Sequence, residues 1–146
     1  MSARWRPRQG IRPITIGIIR RGTEVLVFAV LDDAGGIKGW RPLGGGIEPG
    51  ERAAEALRRE IMEELGLAIA EPRLLAVIEN IFEHHGVLGH EIVFVLETSF
   101  MDAQAYQREA FAFSDGGLAC RARWMDVARF RDGVERLFPV ELVGKL

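Results

Sequence analysis

The chain has 146 residues, 48% hydrophobic and 27% charged, with 19 Lys and Arg against 21 Asp and Glu and a net charge of −2. That length fits one domain, residues 1–146, with enough apolar material for a core and enough charge for a polar surface. The balance excludes a general drive toward nucleic acid or anionic membranes, and no apolar run approaches the length of a membrane span.

Arg4, Arg6, Arg8 and Arg12 make residues 1–12 a basic arm. The plain reading is a solvated terminus; the sharper one is an arm that reaches a polyphosphate. No long apolar region follows it, so no secretory signal is expected. Ile14–Ile19 reads as a strand, Arg21 and Gly22 as a turn, and Glu24–Leu31 as a second strand buried on both faces. Asp32–Gly36 is a loop. Trp40–Ile47 holds three consecutive glycines, so its backbone must bend sharply or approach something closely. Arg41, just before them, suits either a phosphate or a structural ion pair.

Glu51–Leu65 has helical periodicity and Gly66 stops it. Ala54, Leu57, Ile61 and Leu65 form the apolar stripe; Glu60, Glu63 and Glu64 lie on an adjacent arc in the last turn. Ala53 and Ala56 share that arc and leave room for a bulky charged ligand. Like charges three and four apart repel, and carboxylates at a helix C-terminus oppose the macrodipole. A hard divalent cation with oxygen ligands would offset both effects. The helix alone would equally suit a solvated amphipathic face. The glycines ahead of it favour a site, because a loop carbonyl can complete a metal shell; no GK[ST] follows, so this is not a Walker-type cradle.

Leu74–Phe82 and Glu91–Phe100 read as strands joined by a polar loop, His84–His90. His84, His85 and His90 are read there as surface histidines rather than a metal cluster. Asp102–Arg108 suits a short helix or a loop. Glu109–Phe113 and Arg121–Val127 are weaker strands around Ser114–Gly117, and Val127–Leu146 carries short helical patterns broken by Gly133 and Pro139. Trp124 is expected in the core. Cys120, the single cysteine, excludes an intrachain disulfide, reads as a small buried residue, and suits a reducing cytoplasm, the expected location. The elements add up to an α+β chain with helices packed on a mixed sheet.

Gly45, Glu51, Arg59, Glu60, Ile61, Glu63, Glu64, Gly66 and Leu67 match every defined position of G-x5-E-x7-R-E-U-x-E-E-x-G-U, where U is apolar. On these residues the chain resembles the Nudix family, and the flanking strands and WRPLGGGIEPGE extend the likeness over most of it. The resemblance implies an α/β/α sandwich around a curved mixed sheet. It implies a magnesium-dependent hydrolase, with manganese as a substitute, that cleaves the diphosphate linkage of a nucleoside diphosphate joined to another group. A narrower version converts nucleoside triphosphates to monophosphate and pyrophosphate; a different class is a nucleotide-binding module without turnover.

By the same resemblance Glu60 and Glu64 are the main metal ligands, with Glu63 and the Gly44 carbonyl adding to them. Glu60, Glu63 or a residue on a later loop is the general base, and Arg59 and Glu51 orient the carboxylates. Glu79, Glu91, Glu109 and Asp115 are candidates for a further acid, with Glu79 and Glu91 preferred. Arg41 and Phe82 are candidates for substrate contact. Two substrate markers seen in some branches, a proline or a tyrosine some fifteen to eighteen residues past the box, are missing; that window holds Phe82, Glu83, His84 and His85. The implied partner is a small nucleotide, not nucleic acid or membrane. Homodimers are common in the family, although no interface is readable in the sequence.

Overall fold

The computed structural model describes Pro7 and residues 10–146. Arg4, Arg6 and Arg8 of the basic arm lie outside them. An eight-stranded mixed sheet runs β5-β6-β1-β2-β8-β7, with β3 paired to β2 and β4 to β1. Its strands are β1 (Ile11–Arg21), β2 (Glu24–Leu31), β3 (Ile37–Arg41), β4 (Gly44–Gly46), β5 (Arg73–His84), β6 (Val87–Thr98), β7 (Ala110–Asp115) and β8 (Leu118–Asp126). The helices are α1 (Ala53–Leu65) and α2 (Val127–Arg131), with 3-10 turns at Ala103–Gln107 and Val140–Lys145.

Strand periodicity divides the core in two. On β2, Val25 and Val27 face a cluster with Ile16, Val95, Phe130 and Leu142; Leu26 and Phe28 face a second with Leu57, Ile61 and Phe111. The first lies under the C-terminal helical segments and the second under α1. This explains why Val25–Phe28 is apolar without alternation. The sheet is mixed because β1 runs parallel to β6 while the other named pairings are antiparallel.

Helix α1 starts at Ala53, two residues after the expected Glu51. Arg52 is extended and gives no side-chain cap. Gly66 ends the helix in the left-handed region, φ 69°, and its N–H donates to the Met62 carbonyl. Leu57 and Ile61 are buried as expected, and Ala56 is fully buried beside them. Ala56 therefore packs in the core and makes no room for a ligand, a correction to the reading of that arc.

The loop expected at His84–His90 is also corrected. Strands β5 and β6 continue to His84↔Val87, and the turn is His85–Gly86, both with positive φ. His84 is 6% exposed, not a surface residue; its Nδ1 lies 3.3 Å from Lys38 Nζ. His85 pairs with Asp33. Trp124 is core, whereas Cys120 is only half-buried.

Candidate functional site

The three glycines form strand β4 rather than a loop. Gly46, Gly45 and Gly44 pair with Ile14, Thr15 and Ile16 of β1. A Cβ on Gly44 would stand 1.9 Å from the Thr15 carbonyl oxygen, and one on Gly45 would stand 2.5 Å from the Glu60 carboxyl carbon. At Gly44 the clash is with backbone, so packing requires glycine there; at Gly45 a side chain would have to displace the Glu60 carboxylate. Thr15 fixes the helix on the sheet: its Oγ1 donates to the Ala53 carbonyl at 3.1 Å. This ties the first turn of α1 to β1, and further along the helix Glu60 packs against the glycine strand.

Arg59 organises the box. Its Nε and Nη2 donate to the two carboxylate oxygens of Glu51 at 2.7 and 2.8 Å. Nη1 donates to Glu60 at 2.9 Å and to Glu63 at 3.4 Å, and Nη2 also reaches the Gly46 carbonyl at 3.0 Å. Such bidentate pairing fixes geometry as well as charge. The fork holds the Glu51 carboxyl down at about pKa 2, helped by the Glu48 N–H, and raises Arg59 in turn. Glu51 thus acts from outside the helix, tying the loop ahead of α1 to its second turn.

The Glu60 and Glu64 carboxyls lie close enough for each to shift the other's titration. Burial, then Glu60 and then Asp115, push the Glu64 carboxyl up to about 8. Burial likewise raises Glu60, against the pull of Arg59. Glu64 Oε2 is buried without a hydrogen-bond partner. A buried oxygen of this kind is costly unless something cationic faces it. Glu63 stands apart, more than half exposed. Among the described residues no three His, Cys, Asp or Glu side chains are gathered to hold a metal. The donor set that fits a hard cation is therefore the Glu60–Glu64 pair, whose Glu64 Oε2 is unpartnered.

Two cavities meet here. The smaller, about 140 Å³, gathers charged groups, Glu60, Glu91, Asp115, Arg12 and Arg41, around Gly44–Gly46 and Ile14. The larger, about 810 Å³, is lined by Phe28, Trp40, Trp124, Cys120 and Arg123 among others. It opens where β2 and β8 part. Their pairing ends at Phe28↔Ala122; β2 continues on β3, and β8 on β7. Arg41 and Asp115 line both cavities. The Arg41 guanidinium lies 5.6 Å from the centre of the Phe28 ring, and its charge opposes the rise of the Glu64 pKa. The Cys120 thiol is pushed up by burial and the nearby Asp115 and Glu64, which disfavours a thiolate nucleophile.

Of the further acids, the structure brings Glu91 and Asp115 to the site. Glu91 is 7% exposed on β6, in register with Arg12 of β1. Glu79 is exposed on the sheet edge and lines neither cavity. Phe82 also lines neither; its ring occupies the space over Gly89. Glu109 lines only the larger cavity. Arg12, noted in the sequence only as part of the basic arm, belongs to the small cavity. Its sign was the arginine cluster, but its place follows from the parallel β1–β6 pairing.

A family profile for the NUDIX domain matches residues 11–141. Proteins named nucleoside triphosphatase NudI, from several Escherichia coli strains, are 50% identical over 56 residues; the match covers 38% of this chain and 40% of theirs. The aligned stretch thus spans less than half the length of those relatives. A solved NUDIX hydrolase from Nitrosomonas europaea superposes with a TM-score of 0.65 at 18% identity, covering 93% of this chain and 91% of that one. A MutT NUDIX hydrolase from Burkholderia pseudomallei gives 0.58 at 22%, covering 82% and 86%. At these identities the superpositions speak for the fold.

Proposed function

This chain belongs to the Nudix family, and we propose that it hydrolyses a diphosphate linkage in a small nucleotide with the help of magnesium, which manganese replaces. The observation that carries this reading is the Glu60–Glu64 carboxyl pair, part-buried beside a glycine strand with Glu64 Oε2 unpartnered. Glu60, Glu64 and the Gly44 carbonyl would hold the cation, and Glu63, exposed at the helix end, adds a carboxylate. When bound, the ion neutralises phosphate charge and acidifies water.

The remaining work falls to the chain. Arg59 and Glu51 are positioning residues: their fork keeps Glu60 in place against Gly45. Water attacks one phosphorus, the bond to the bridging oxygen breaks, and a carboxylate takes the water proton. Glu60, Glu91 and Asp115, which line the small cavity, are the carboxylates we place within reach, with Glu63 at the exposed helix end as a further candidate. Arg41 steadies the substrate phosphates at the mouth of the large cavity, which takes the nucleoside. All box carboxylates are present, which weighs against a module without turnover. The relatives named nucleoside triphosphatase support substrates of the triphosphate type within this class. Incubation with magnesium or manganese and a panel of nucleoside triphosphates, nucleotide sugars and dinucleotides, in labelled water, tests the reading. Labelled phosphate products support it; no product from any nucleotide refutes it.

A further inference from the structure

The hairpin of β5 and β6 is apolar on both faces, and the described chain covers one of them. On that face Ile78, Val93 and Val95 enter the core cluster with Leu142. On the other, alternation and register place Val77 beside Phe94, Ile81 beside His90 and Glu83 beside Leu88. The parallel β1–β6 pairing adds Ile11 and Pro13 as a third row, opposite His90 and Ile92. Helix α1 lies on this same side of the sheet, because Thr15, opposite Phe94, donates to the Ala53 carbonyl. It packs on β1, β4 and β7 and leaves the hairpin open. Ile11, Val77, Ile81 and Leu88 are 61, 50, 63 and 68% exposed.

The chemistry of this face narrows what can cover it. It carries no lysine or arginine, so it has no attraction for nucleic acid, an acidic peptide or an anionic membrane. Its acids, Glu79 and Glu83, lie on β5, the edge strand, where they stay solvated at a rim. Ile92 and Phe94 of β6 lie further in, and His90, opposite Ile81, is the remaining titratable group. An open strand surface suits another strand surface: two sheets stack about 10 Å apart with their strands nearly aligned.

Area points to a second copy of this chain. Taking about 100 Å² for a whole aliphatic side chain, the face exposes on the order of 400 Å² of apolar surface. A standard interface takes roughly 800 Å² from each partner, rather more than half of it apolar, so the two amounts match. We propose that the outer face of the β5–β6 hairpin, with Ile11 of β1, is a homodimer interface in which two copies stack these faces about a two-fold axis. Such an axis brings the same patch from both sides, so the apolar rows meet and the glutamates remain at the edges. None of these residues lines either cavity, so the inference stands independently of the hydrolase reading.

Sedimentation velocity on the full chain tests this across about 1–100 µM, the weak end for interfaces of this size. The wild type should reach twice the mass of the chain. Ile81→Glu and Leu88→Glu should each weaken the dimer by about thirtyfold or more, as loss of a central contact does. Val140→Glu, at an aliphatic side chain 68% exposed elsewhere, should leave it unchanged. Ile81 and Leu88 are exposed in the single chain, so the circular-dichroism melt of dilute protein should not move in either variant. Without any substitution, the methyl NMR signals of Ile81, Leu88 and Ile92 should shift with protein concentration. A monomer at every concentration, a dimer indifferent to Ile81→Glu and Leu88→Glu, or one that Val140→Glu weakens equally would overturn the proposal. So would a monomer that binds neutral phosphatidylcholine vesicles through Ile81 and Leu88, which would give the face to a lipid surface.

Discussion

The Glu60 carboxylate occupies the space that a side chain on Gly45 would need: a Cβ there would stand 2.5 Å from the carboxyl carbon. The first glycine of the box and its first paired carboxylate are thus one packing unit. Gly45→Ala should push Glu60 off its position against β4 while leaving the β1 pairing in place. We expect kcat to fall about a hundredfold, the scale of losing one transition-state contact, with little change in far-UV circular dichroism. Normal kcat in the variant would contradict the coupling.

Glu64→Gln should separate stability from activity. The Glu64 carboxyl is raised to about 8, first by burial. A carboxyl raised in the folded state contributes its stability below the unfolded pKa of about 4.5, and that contribution is lost as pH rises toward 8. The metal-free wild type should therefore melt at a lower temperature at pH 9 than at pH 5, and this site's share of the fall should vanish in Glu64→Gln. Turnover with magnesium should drop at least about a hundredfold. Melting curves of both proteins at the two pH values, with parallel rate measurements, check both halves.

Glu51 has the opposite linkage. Its pKa is lowered from 4.5 to about 2 by the Arg59 fork and the Glu48 N–H. Stability from that pairing is present above pH 4.5 and is lost as pH falls through about 2. Carboxyl-selective NMR titration should show Glu51 ionised well below the other exposed glutamates. Arg59→Lys, which cannot reproduce the fork, should return it toward the ordinary value and lower kcat more than it raises KM. A Glu51 titrating near 4.5 in the wild type would rule out the fork in solution.

Glu91→Gln and Glu79→Gln make a matched pair. Glu91 is buried against the small cavity, whereas Glu79 faces outward from the sheet edge. The first should reduce kcat by about tenfold or more, the scale of a general acid–base group or a cation ligand. The second should stay within about twofold of wild type, as exposed positions away from a site do. Equal effects would remove Glu91 from the chemistry.

Much of this was legible from local pattern. The helix, its stop at Gly66 and the carboxylate arc are set by residues within a few positions of one another, and the structure keeps them. The glycine run signalled close approach, and Thr15 and Glu60 are what approach it. What failed was long-range. His84 looked like part of a polar loop because its Lys38 partner lies on another hairpin. Gly89 looked like a loop glycine, although it makes room in a strand for the Phe82 ring. Ala56 lay on the acidic arc of an ideal helix wheel, but tertiary packing buries it completely. Among four candidate acids, the ranking came from tertiary placement: the Gly116–Gly117 turn delivers Asp115, and β6 delivers Glu91.

Titration of manganese into the pure protein, followed calorimetrically with and without nucleotide, is the most direct test of a cation held by Glu60 and Glu64. The account predicts saturable uptake that Glu60→Gln and Glu64→Gln each weaken by about tenfold or more, as loss of a charged ligand does. No uptake under either condition, or uptake indifferent to both substitutions, would contradict it.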